Sequence, residues 1–186
     1  MSKDTRTVVL LCNYAAKYSG NFISSIQDLI TAGRYRFIVV LPKEAKNYQW
    51  SRIRNAEVRF IDFSFFSDSI VVLPVTEYVK SIFDTVDFFV SPSRGEAFGY
   101  AVVEASSSSC EVIASLVPGQ DTLKDIPETI WISPNDSVGL ANAITDRIPL
   151  LHSSDFSSRK DYILSHYSIA AWVNSVNAMY SEVFSL

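Results

Sequence analysis

The sequence predicts an α/β fold built on a doubly wound, mostly parallel sheet with helices on both faces. Short runs rich in β-branched and aromatic residues recur along the chain. The first of them, Thr7–Cys12 (TVVLLC), is apolar without alternation. A strand of that kind is buried on both faces, as in a parallel sheet. Segments with helical spacing separate the runs, which gives a β-α-β-α-β order over residues 1–63. That order is one mononucleotide-binding half of a doubly wound fold.

The elements follow in order. Asn13 to Asn21 is a polar loop carrying Gly20. Phe22, Ile26, Leu29 and Ile30 fall at helical spacing, so Asn21–Thr31 is a helix, with Gly33 just past its end. Arg36–Leu41 is a second buried strand, ended by Pro42. Ala45–Asn55 is a weak helix, and Glu57–Phe63 alternates as a strand. An aromatic, serine-rich junction covers Phe63 to Ser69. Ile70–Val75 is a strand whose Pro74 marks its end or a sheet edge. Thr76 caps a helix over Glu77–Thr85, with Val79, Ile82 and Phe83 inward. Asp87–Val90, Glu111–Ser115 and Thr129–Ile132 are further strands. Asp136 caps a helix through Ile148, with Leu140, Ala143, Ile144 and Ile148 on one face. A polar segment, His152–Lys160, precedes the last helical region. There Ser168 caps a helix to Phe184 that carries the stripe Trp172, Val176, Met179, Tyr180 and Val183.

Composition bounds the function. The 186 residues are 48% hydrophobic and 13% aromatic, enough for a real core and too apolar for disorder. That length suits one domain or two very small ones; two half-domains would have exposed sheet edges and thin cores, so one fused domain, 1–186, is expected. The net charge is −4 with no basic patch, so nucleic acid is not an expected partner. Cys12 and Cys110 form no CxxC and read as two buried, reduced thiols. The polar N-terminus lacks the apolar core of a signal peptide. No stretch approaches the roughly 18 apolar residues of a membrane span. These features lead us to expect a cytoplasmic protein, or one peripheral at the inner membrane face.

The stretch Ser91–Glu104 (SPSRGEAFGYAVVE) carries the chemistry. It follows an apolar strand and opens a helix expected to reach about Ser108. A helix mouth has unpartnered backbone N–H groups and a favourable dipole for anions. In an open α/β sheet, ligands bind beyond the carboxyl ends of strands. Glu96 lies at that mouth and Glu104 one to two turns in. They are either solvated charges at a helix start or two acceptors flanking an anion site. The second arrangement suits a sugar nucleotide, whose hydroxyls flank a diphosphate.

Residues 86–144, with VDFFVSPSRGEAFGYAVVEA, EVIAS, VPGQDTLKD and ISPNDSVGLANAI, resemble the C-terminal domain of retaining GT-B glycosyltransferases of family 4. Glu96 and Glu104 match that family's E-x7-E motif. The resemblance implies a Rossmann-like lobe and transfer of a glycosyl group from a nucleotide-activated sugar, with retention, to a glycan or lipid-linked acceptor. It implies no metal and no other cofactor. By that resemblance Glu96 contacts the donor sugar as the catalytic residue and Glu104 the ribose. The backbone of Ala97, Phe98 and Gly99 approaches the sugar and diphosphate, with Arg94 nearby. Residues 1–63 are similar to the acceptor-side domain of some members, which places Ser19, Gly20 and Asn21 on a loop facing the acceptor. Residues 70–186 then resemble the donor-binding half. The terminal helix is similar to one that crosses back toward the other domain.

The chain departs from the family pattern as well. A shortened form is expected, lacking near Phe63–Ser69 the segment with the family's basic clamp for the leaving diphosphate. Lys17, Arg94 and Lys124 are candidate substitutes. His152 and His166 match no catalytic position and read as structural or exposed. Preorganised positive charge is a large term in such chemistry. A helix end alone contributes about 0.3–2 kcal/mol, and each tenfold in rate needs about 1.4 kcal/mol. The competing expectation is therefore a catalytically weak module that binds a nucleotide sugar or a protein partner. The partner surface would be the aromatic junction near Phe63–Phe66, including pairing with a second copy.

Overall fold

The computed structural model describes residues 6–11, 35–41, 70–74, 83–151 and 154–184. Six strands form one sheet: β1 (Arg6–Leu11), β2 (Tyr35–Leu41), β3 (Ile70–Pro74), β4 (Phe88–Ser91), β5 (Glu111–Ser115) and β6 (Thr129–Ile132). Their order is β3-β2-β1-β4-β5-β6, and every pairing is parallel. This is the doubly wound order, in which the direction of strand succession reverses between β1 and β4. Val8, Val9 and Leu10 of β1 pair with Phe88, Phe89 and Val90 of β4, so the reversal lies at the centre of the sheet.

Most boundaries follow the apolar runs. β5 and β6 match their predicted spans, and the other strands shift by a residue or so. β3 is the outermost described strand on its side, with Pro74 as its last residue, and a missing N–H is tolerated there. The predicted strand Glu57–Phe63 and the helices Asn21–Thr31 and Ala45–Asn55 lie outside the described residues. So does the aromatic junction, along with Cys12 and His152.

Four helices are described: α1 (Tyr100–Ser106), α2 (Ser137–Arg147), α3 (Ser157–Tyr167) and α4 (Ile169–Phe184). α1 packs on β4 and β5, and α2 on β5 and β6. α3 lies between α1 and α4. As predicted, Asp136 caps α2, its carboxylate accepting from Gly139 N–H at 2.7 Å. Ser168 Oγ likewise accepts from Ala171 N–H at 3.1 Å at the start of α4. α3 begins inside the polar segment expected to precede the last helical region. It buries only Arg159 and Ile163, so no apolar period announces it.

All nine residues of β4 and β5 are buried. The core joins Phe83, Val86 and Phe89 to Val102 and Ala105 of α1, to Val112 and Ala114 of β5, and to Leu123, Ile126 and Ile163. Phe83 and Phe89 meet edge to face at 5.3 Å. Each fully buried side chain of this size contributes about 1.5–3 kcal/mol, so the core fixes β4 and α1 on either side of the loop between them. Cys110 is buried and free, and burial pushes its thiol up to about 12.

A buried polar clamp holds the amino end of β5. Glu111 is fully buried and accepts from Arg147 Nε at 3.0 Å and Nη2 at 2.9 Å, and from Ser154 Oγ at 2.8 Å. Arg159 is also fully buried. It donates to the carbonyls of Ser106, Ser108 and Cys110 at 3.0, 2.9 and 2.6 Å, pinning the turn from α1 into β5. Its guanidinium lies 4.3 Å from the centre of the Phe156 ring. Among the described residues, no helix is long and apolar enough to cross a membrane.

Candidate functional site

β4 ends at Ser91, beside the point where strand order reverses. The loop leaving it stays close to the body: Pro92 and Ser93 are buried, Arg94 and Gly95 exposed, and Glu96 half-buried. Ser93 Oγ donates to Glu96 Oε1, which fixes the direction of that carboxylate. Ala97 is exposed. Phe98 is half-buried against the core, its ring 4.9 Å from that of Tyr100 and 5.9 Å from that of Tyr167.

Gly99 precedes α1 with φ 93°. Two constraints exclude a side chain there. The left-handed backbone disfavours any Cβ, and a Cβ would sit 2.6 Å from Gln120 Nε2. Gly119 mirrors it with φ 90°, where a Cβ would sit 1.8 Å from the Glu96 carbonyl oxygen. The loops following β4 and β5 are therefore pressed together, with glycine at each contact. Tyr167 closes the arrangement. Its hydroxyl donates to the Thr122 carbonyl at 3.0 Å while its ring packs on Phe98. Gln120 is fully buried inside this interlock, and among the described residues neither of its amide atoms has a hydrogen-bond partner. Leaving such a group unpaired costs about 1–3 kcal/mol.

Glu104 is the fifth residue of α1, about 6–8 Å along the axis from Gly99. The residue as a whole is exposed, yet burial of its carboxyl holds its pKa above the ordinary glutamate value. α1 spans seven residues rather than reaching Ser108. The N–H groups of Val102 and Val103 are directed to the Gly99 carbonyl, at 2.9 and 3.4 Å. The mouth thus has few N–H groups left, and the short helix supplies only a small dipole.

A family profile described as glycosyl transferases group 1 matches residues 6–148. The chain belongs to that family. No curated protein sequence matches it. Solved structures share the fold at low identity. A glycosyltransferase from Rickettsia africae superposes with a TM-score of 0.79 at 15% identity, over 98% of this chain and 49% of that one. Anabaena Alr3699/HepE, solved with UDP-glucose, gives 0.71 at 17% identity, over 98% and 49%. The C-terminal domain of a glycosyl transferase group 1 family protein, LpcC, from Francisella tularensis gives 0.65 at 18%, over 88% and 87%. The chain spans about half the length of the first two proteins.

Within this glycosyl transferase group 1 chain, the residues Arg94 to Gly99 and Glu104 fall on one loop and the helix it opens. Ser19, Gly20 and Asn21 lie outside the described residues, as does Lys17. Lys124 is exposed beside the turn that follows Gln120. His166 is exposed, its ring stacked on Tyr162 at 4.0 Å and its Nδ1 2.9 Å from the Tyr162 carbonyl oxygen. Among the described residues, no group of three or more His, Cys, Asp or Glu could hold a metal ion. Reading the sequence alone misses Ser93, Gln120 and Tyr167. For Ser93 the S-x-x-E spacing to Glu96 is a usable signal, and for Gln120 its place after Pro118-Gly119, just beyond a strand.

Proposed function

We propose that this chain is the donor-binding lobe of a retaining glycosyltransferase of the family 4 type. Its donor is a nucleotide-activated sugar, held by the segment Ser91–Glu104. One observation carries the reading: the family's E-x7-E segment lies at the carboxyl end of β4, at the reversal of strand order. Ligands of open α/β sheets bind at that place. Glu96, oriented by Ser93, accepts from sugar hydroxyls. Glu104 accepts from the ribose. The backbone at Ala97–Gly99 approaches the diphosphate, a close approach that Gly99 permits, and Arg94 adds positive charge. The reaction breaks the bond between the anomeric carbon and the diphosphate oxygen and forms one to an acceptor hydroxyl. The nucleoside diphosphate leaves with the electron pair. A glycan or lipid-linked acceptor and a metal-free reaction complete the proposal. The Anabaena neighbour's complex with UDP-glucose supports the donor class. The likeness to an isolated C-terminal domain supports taking residues 1–186 as one lobe on one sheet.

Calorimetric titration with UDP-, GDP- and ADP-glucose tests this. One of them should bind, and Glu104→Ala should weaken that binding at least tenfold, about 1.4 kcal/mol. No binding to any donor, or binding unchanged in the variant, would sink the reading. A second reading, a binding module with little turnover of its own, is favoured by the chain's half-length match to its relatives. Binding without glucose release or transfer would select it.

A further inference from the structure

Gln120 is the described side chain most at odds with its surroundings. It is fully buried, and both of its amide atoms lack a partner among the described residues. The other buried side chains with an unmet group, Ser106, Ser108, Thr129, Trp131 and Arg159, each leave a single atom unpaired. The backbone of Gln120 cannot turn to relieve this. Its N–H donates to the Val117 carbonyl at 2.9 Å, and its carbonyl accepts from the N–H of the fully buried Leu123 at 2.8 Å. The side chain is therefore held alongside Gly99, whose Cβ would lie 2.6 Å from Nε2 and 2.9 Å from Cγ. The amide occupies the place that a side chain at position 99 would take. It lies against bare backbone, and an amide offers the donor and the acceptor that a peptide group pairs with.

Building on the donor reading of Ser91–Glu104, on which this step rests, we propose that Gln120 is a positioning residue for the donor. Its amide is unpaired in the free chain and takes its hydrogen bonds from the backbone of the Glu96–Gly99 loop when a nucleotide sugar seats there. A ligand shifts a protein between two arrangements only by interacting better with one of them. An amide unpaired in one arrangement and paired in the other supplies such a difference. Two glycines leave the loop free to settle onto it. Gly99 brings no side chain between its own backbone and the amide. Gly95, at the other end of the loop, has nothing within 4 Å of where a Cβ would lie, so that end has room to shift. The free chain is then less stable for carrying the amide, and the donor complex more stable for pairing it. Removing the amide moves stability and donor affinity in opposite directions, which a side chain that merely fills space does not do.

Gln120→Met in the full chain tests the proposal, because methionine is unbranched like glutamine, fills the same space and lacks the amide. Its urea midpoint should rise with an unchanged slope. Its affinity for whichever of UDP-, GDP- or ADP-glucose binds the wild type should fall at least tenfold, about 1.4 kcal/mol. Thr129→Val removes an unpaired hydroxyl at the amino end of β6, away from the donor segment. It should raise the midpoint as well and leave donor affinity unchanged. In proton–nitrogen spectra, the side-chain amide signals of Gln120 are identified by their loss in Gln120→Met. Those hydrogens should exchange with solvent more slowly once donor is added to the wild type. A lower midpoint in Gln120→Met overturns the proposal, and so does exchange that saturating donor leaves unchanged. A donor affinity that responds to Glu104→Ala but not to Gln120→Met removes this role from Gln120 and leaves the donor site in place. No binding of any donor overturns both.

Discussion

At the amino end of β5, Glu111 is fully buried and its carboxylate is met by Arg147 and Ser154. Beyond the carboxyl end of the same strand, Gln120 is as deeply buried, and neither of its amide atoms is met by any described residue. The first region also holds Arg159, whose guanidinium gathers three carbonyls. The second holds two glycines with φ near 90°, each at a place where a Cβ would collide. Five residues of strand separate a buried carboxylate that is fully met from a buried amide that is not, although Ser106 Oγ, Ser108 Oγ and Arg159 Nη1 at the amino end also lack partners among the described residues. Unpaired groups and special backbone angles persist where surrounding structure holds them, and they cluster at functional sites. What sets the carboxyl end apart is that its unpaired amide lies where two loops meet at glycines, beside the proposed donor segment, whereas the amino end is tied by Arg147 and Arg159 to the body of the fold.

Variants can break that contrast. Arg159→Met should have the largest effect on folding, because it strips partners from three carbonyls next to a buried turn. We expect a loss of about 3–5 kcal/mol, read as a lower urea midpoint with an unchanged slope. In the fraction that remains folded, donor affinity should stay within a few-fold of wild type. A large loss of affinity in folded protein would join the two regions into one. Gly119→Ala should do the reverse. The backbone angle alone costs about 1–3 kcal/mol. The new Cβ would meet the Glu96 backbone, which cannot yield without moving the loop. Donor binding should fall more than tenfold, about 1.4 kcal/mol, with a smaller drop in stability than Arg159→Met. Gly99→Ala makes a useful comparison. Its Cβ would meet the Gln120 side chain rather than backbone, so it should be the milder of the two.

The sequence displayed what depends on local pattern. Parallel strands buried on both faces write themselves as apolar runs, and β1, β4 and β5 were readable for that reason. Asp136 and Ser168 were readable because a cap is a side chain beside the N–H it accepts from. Ser91–Glu104 was readable because strand, turn and helix follow without interruption. What stayed hidden depends on residues far apart in the chain. Arg159 reaches carbonyls about fifty positions earlier. Gln120 matters because it lies under Gly99, and no periodicity records that contact. The stripe on α4 shows a related limit: spacing identifies which residues share a face, but not what covers that face. Here none of the helix's sixteen residues is buried.

The smallest expected effect belongs to Glu104, and it bears on how sharply the two regions divide. Burial holds its carboxyl above the ordinary glutamate value. A carboxyl raised in the folded state binds its proton more readily there than in the unfolded chain. It therefore favours folding at low pH, and that contribution is lost as pH rises from the ordinary carboxylate range through the raised value. This sign is opposite to that of a paired carboxylate. Thermal unfolding of wild type and Glu104→Gln across pH should show the wild type losing stability relative to the variant over that window. The difference should be modest, because solvent reaches the side chain. Donor affinity should move the other way. A carboxylate that accepts from ribose hydroxyls must be ionised, so binding should weaken on acidification at a higher pH than an ordinary glutamate would require. Glu104→Gln should remove that dependence. If stability and affinity instead respond to pH with the same sign, Glu104 belongs with the structural end of the sheet and not with the donor.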